Sequence, residues 1–70
     1  MAQAHQLLPE DHVKLLQRHT VEGDLAAMMK DIAELHLHWT DLSEGSQAEV
    51  KKLEGIFLTM LKAKAAGARA

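Results

Sequence analysis

The chain has 70 residues, a formal net charge of −2 and no cysteine. That length allows one domain with a small core, and the missing cysteine removes disulfides and thiolate zinc sites as staples. The net charge gives no reason to expect a polyanionic partner.

Regular helix packing, a histidine-bound metal and self-association remain as ways to stabilise so short a chain. The apolar supply favours self-association. Hydrophobic residues make up 47% of the sequence, more than two or three helices can cover alone. Charge is unevenly spread. Residues 1–50 hold three bases against nine acids, and residues 51–70 hold five bases against one acid. That asymmetry suits two chains lying antiparallel, or the steering of an oppositely charged partner.

Residues 1–8 carry no helix signal and are expected to be loosely held. They lack the basic lead and long apolar run of a signal peptide, and no stretch reaches the roughly 20 apolar residues of a bilayer span. A cytoplasmic protein with no membrane contact is the expectation. Pro9 then reads as the first residue of a helix, with Glu10 and Asp11 at the positive end of its dipole. This first helix is expected over about 9–20. Helical spacing aligns Leu8, His12, Leu15 and His19, with Leu16 beside them.

Gly23 and Asp24 read as the end of one helix and the N-cap of the next. A helix running straight through is the alternative, because an internal glycine costs only about 1 kcal/mol. The second helix is expected over about 24–42. Leu25, Met28, Ile32, Leu35, Trp39 and Leu42 alternate steps of three and four along it, the spacing of a packing seam. Met29 and His36 widen that seam. Lys30, Asp31, Glu34, His38 and Asp41 form the opposite, solvated face, and Ala26 and Ala33 a narrow edge of small residues.

Ser43-Glu-Gly-Ser46 is the clearest turn. Ser46 and Glu49 match a capping box, so the third helix is expected from about 47 to 66, with 67–70 frayed. Val50, Leu53, Ile56, Phe57, Met60 and Leu61 form its apolar arc, with Leu58 to one side. Gly55 lies on the polar side and suggests a bend. A short turn makes helices two and three antiparallel neighbours. A seven-residue frame at 25, 32, 39, 53 and 60 would also suit one long coiled coil, but Ser43, Gly45 and the capping box oppose it. The fold expected is all-α: an antiparallel helical hairpin with a preceding N-terminal helix, associating into a dimeric helical bundle.

Five histidines are the main titratable feature. His5, His12 and His19 recur every seven residues, a rise of about 10.5 Å on a helix, so no two can share a metal within one chain. They read as interface residues along a helix contact. His36 lies on the seam and reads as a hydrogen-bonded core residue. His38 pairs with Glu34 one turn earlier. No metal ligand set and no cofactor motif is expected. The Glu-x-x-His signature of di-iron bundles, the helical zinc motif, the P-loop and the glycine fingerprint are all missing. Ser43 and Ser46 are turn and cap residues, not nucleophiles.

Lys51, Lys52, Lys62, Lys64 and Arg69 form the basic third. Lysines late in a helix favour its negative end, and nothing aromatic is interleaved for base stacking, so nucleic acid is not the expected partner. Trp39 reads either as a core anchor or as a partner hot spot at the hairpin end.

In size and style the chain resembles small cysteine-free helical regulators of bacteria and phages, with no motif to carry the likeness to particular residues. The function expected is a non-enzymatic protein-binding regulator of inhibitor, adaptor or chaperone type. It would form a homodimer and occlude an apolar surface of a larger bacterial or phage-target protein. Its interface residues would be Leu8, His12, Leu15, Leu16, His19, Leu37, Trp39, Phe57, Leu58 and Leu61. A histidine-based metal-binding bundle, and nucleic-acid binding through the basic third, are the alternatives.

Overall fold

The computed structural model describes residues 8–69, with Ala68 and Arg69 described by backbone alone. Three helices, α1 (Pro9–Glu22), α2 (Leu25–Leu37) and α3 (Glu44–Arg69), pack against one another, with a short 3₁₀ turn at Trp39–Asp41. The all-α class expected from the sequence is what the described residues show. The looseness expected of residues 1–7 lies outside them.

α1 opens as its sequence dictates. Pro9 is the first helical residue and Glu10 and Asp11 fill the first turn. It ends at Gly23, whose φ of 72° only glycine adopts without strain. The Asp24 amide donates to the His19 carbonyl and the Gly23 amide to that of Thr20, both at 3.1 Å. This is the Schellman pattern, and it satisfies two of the carbonyls that a helix end leaves open. Asp24 then caps α2, its carboxylate accepting from the Ala27 amide at 3.1 Å. The chain therefore breaks at Gly23.

α2 stops at Leu37, not near residue 42. No proline or glycine ends it. The backbone tightens into the 3₁₀ turn, and Leu42 follows in an extended conformation that buries it. The Gln47 side chain donates to the Trp39 carbonyl at 2.9 Å and fixes this corner.

α3 begins at Glu44, three residues before the start expected at Gln47. The capping residue is Ser43, not Ser46: the Ser43 Oγ accepts from the Ser46 amide at 3.2 Å. Ser46 lies inside the first turn, where its hydroxyl donates to Glu10 of α1. The Glu10 carboxylate also accepts from the Ser43 amide at 3.1 Å. These donors hold the Glu10 carboxyl below the ordinary glutamate range. The Ser46 hydroxyl contributes most and the Ser43 amide next, while desolvation acts the other way. α3 runs through Gly55 and on to Arg69, three residues past the end expected at residue 66.

Val13 and Leu16 of α1, Met28 and Leu35 of α2, Leu42, and Val50 and Leu53 of α3 are the buried apolar residues. Leu25, Ile32, Trp39, Ile56, Phe57 and Met60 pack around them, half-buried. Every helix contributes to this one cluster. Each pair of helices also has a polar tie. Gln17 donates to Glu49 at 3.1 Å between α1 and α3. His36 bonds Glu54 between α2 and α3, and two histidines of α1 bond one aspartate of α2.

Candidate functional site

His12 and His19 stand two turns apart on one side of α1. α2 runs alongside and brings Asp31 between them. The Asp31 Oδ1 lies 3.1 Å from His12 Nε2, and its Oδ2 lies 2.5 Å from His19 Nδ1. Each imidazole can donate one N–H to one carboxylate oxygen. Asp31 is only 5% exposed, the one buried charged residue among those described. A carboxylate out of water is costly unless it is hydrogen-bonded. Two donors meet that need, and among the described residues no buried side-chain nitrogen or oxygen lacks a partner. Asp31 therefore does not belong to the solvated face expected for it.

The three residues line an open groove between α1 and α2, whose other walls are Leu15, Ala27, Lys30 and Glu34. A histidine held by an aspartate can serve as a general base when a nucleophile faces it. No serine, threonine or cysteine lines this groove. The Thr20 hydroxyl donates to the Leu16 carbonyl at 2.7 Å, and Ser43 and Ser46 belong to the start of α3. Among the described residues no three His, Asp or Glu side chains are grouped to hold a metal ion. The geometry is that of a helix contact with a recessed, hydrogen-bonded acid at its floor.

Leu8 precedes α1 and Leu37 is the last residue of α2, and neither lines the groove. They are 66% and 76% exposed. Leu15 is half-buried in the groove wall. Leu16 differs from its expected interface role. It is 0% exposed, enclosed by its own chain, because its position on α1 points at the core and not along the line of Leu8, His12, Leu15 and His19.

At the corner after α2, His36 and Trp39 stack with ring centroids 4.9 Å apart and planes within 7°. His36 is exposed, not a core residue, because it reaches sideways to Glu54. Trp39 is half-buried: one side packs on the core and the other carries the imidazole. His38 forms the surface pair with Glu34 at 3.4 Å. Met29, expected to widen the seam, is exposed.

On α3, Phe57 is half-buried, whereas Leu58 and Leu61 are 53% and 44% exposed. Lys51, Lys52, Lys62 and Lys64 are all exposed. Helical spacing sets Lys51 and Lys62 on one side and Lys52 and Lys64 on two others, so they do not form one basic stripe.

The role of Asp31 was missed by sequence reasoning. The available signal was a pair of histidines seven residues apart followed by an acid at the margin of the next helix's apolar seam. Among the described residues no helix is long and apolar enough to cross a membrane. No family model, curated protein or solved structure matches this chain.

Proposed function

We propose that this chain is a non-enzymatic protein-binding regulator, of inhibitor, adaptor or chaperone type, that self-associates and covers an apolar surface of a larger protein. The surface it presents is the groove between α1 and α2. The observation that carries this reading is the exposure of Leu8, just before α1, and Leu37, at the end of α2, together with a groove between these helices whose charged floor residue is already bonded within the chain. Asp31 asks nothing of a partner. What remains for contact in the groove is the apolar wall of Leu15 and Ala27, with Lys30 and Glu34 as a polar rim. An apolar centre with a charged margin is the usual layout of a protein interface.

Affinity capture with the purified chain tests this. A protein partner is expected to be retained by the native sequence and by Val21→Asp, which changes an equally exposed residue at the other end of α1. Leu37→Asp is expected to lose it, weakening binding by about 2 kcal/mol or more, with helical circular dichroism unchanged. Equal capture by Leu37→Asp, or retention of nucleic acid instead of protein, overturns the reading.

A further inference from the structure

We propose that α3 is the self-association face of this chain, with two copies packing α3 against α3, antiparallel, about a two-fold axis between Leu58 and Leu61. The inference rests on the reading that the chain self-associates, and it names the surface and the register.

α3 is much longer than the helices that cover it. Its 26 residues, against 14 in α1 and 13 in α2, span about 39 Å where the others span about 20 Å. Its cover ends near Met60, whose Cε lies against Gly23 at the corner between α1 and α2. From Leu61 to Gly67 every residue is exposed. Leu58 and Leu61 sit where the covered and uncovered parts meet, both about half exposed.

Gln47, Lys51, Glu54, Leu58, Leu61, Ala65 and Ala68 follow steps of four and three along α3. They form a seam, with the two leucines at its middle. This seam lies beside the core-facing arc: Lys51, Leu58, Leu61 and Ala65 on it are exposed, while Gln47 and Glu54 are half-buried and bonded within the chain to the Trp39 carbonyl and to His36. A two-fold axis between Leu58 and Leu61 sets Leu58 of one copy against Leu61 of the other. It sets Glu54 opposite Ala65. A small residue faces a long charged one, and Gly55 beside the seam has no side-chain or other atom within 4 Å of where a Cβ would sit.

Charge selects a second copy as the occupant, and selects its direction. All three acids of α3, Glu44, Glu49 and Glu54, fall in the first half of the helix, together with Lys51 and Lys52. The second half, from Ile56 on, holds Lys62, Lys64 and Arg69 and no acid. Antiparallel pairing lays the basic second half over the half that holds every acid of the helix, and puts Lys51 at the negative end of the second α3. Parallel pairing would set the two basic second halves over each other. The groove between α1 and α2 is not used, so an assembled pair keeps two such grooves open.

Sedimentation equilibrium of the purified full chain at micromolar concentration is the primary test. The expected mass is twice the 7.7 kDa of one chain. Leu58→Asp combined with Leu61→Asp is expected to give a monomer that keeps its helical circular dichroism, since both side chains are already exposed in one chain. Lys62→Glu is expected to weaken association about tenfold through charge reversal at two symmetry-related positions beside the leucines. The native sequence has no cysteine, so engineered thiols report register cleanly. Mixed Gly55→Cys and Lys62→Cys chains are expected to cross-link with each other and not with themselves.

A native chain that stays monomeric overturns this inference together with the self-association it rests on. A native dimer untouched by the leucine variants overturns the α3 face alone and leaves self-association standing. Cross-linking of each thiol variant with itself overturns the antiparallel register.

Discussion

Asp31 holds α1 to α2 through two oxygens and two imidazoles. Asp31→Ala is expected to lower stability by about 1–3 kcal/mol, read as a lower urea midpoint with unchanged slope. The lower part of that range is favoured, because His12 and His19 keep 17% and 21% of their side-chain surface and can turn to water. Glu10 gives the complementary pH test. Its carboxyl is held below the ordinary glutamate range by the Ser46 hydroxyl and then the Ser43 amide. A carboxylate with a depressed folded-state pKa binds fewer protons in the folded than in the unfolded chain. Its stabilisation is complete above the unfolded value near 4.5 and fades as pH falls through the lower folded value. The melting temperature of Glu10→Gln is therefore expected to lie below the native one at neutral pH, with the gap closing as pH drops below that value. A gap that stays constant into acid would show that the contact is not ionic.

The helix ends divide the signals that were readable from those that were not. Gly23→Ala is expected to cost about 1 kcal/mol, the penalty of a side chain in the left-handed region. The position has room for a Cβ, since the nearest atom is 3.9 Å away, so the cost is conformational and not a clash. Thermal unfolding of this variant measures it. This break was legible because a Schellman turn and an aspartate cap obey local rules. The start of α3 was not. Ser43 and Ser46 are both serines that can cap, and local sequence does not choose between them. The choice is made by Leu42 entering the core just before Ser43 and by Glu10 arriving from α1 to take the Ser46 hydroxyl. The end of α2 was hidden for a similar reason: no residue breaks it, and the corner is set by Gln47 bonding the Trp39 carbonyl. Asp31 was misplaced because a charge on a helix margin usually faces water, and only the partner helix supplies the donors that let it turn inward.

Seven buried apolar residues shared by three helices make a core with no spare layer. Leu35→Ala, at 1% exposure, is expected to cost about 2–5 kcal/mol. That is much of the roughly 5 kcal/mol available to a domain of this size. Trp39→Ala is expected to cost less than Leu35→Ala, despite the larger side chain, because half of the tryptophan faces His36 and solvent. Parallel urea titrations rank the two. The reverse order would make Trp39 the core anchor that its place on the seam suggested. The seam of the second helix and the apolar arc of the third, visible in the sequence, did locate this core: Met28, Leu35, Leu42, Val50 and Leu53 are all in it.

The unequal lengths of the helices also bear on how the protein opens. Amides near Val50 and Leu53 lie under the shared core, so their hydrogen exchange needs unfolding of the whole domain. Amides beyond Lys62 are held only by the bonds of their own helix, and a short helical end without packing is marginal in water. One unbroken helix should therefore show steep loss of exchange protection along its length, with the fall beginning near Met60. A second chain laid over the last turns would raise protection there by more than in the turns that the shared core already covers. Protection of those turns would then rise with protein concentration, so that the amount of ordered helix in each chain depends on how many others surround it.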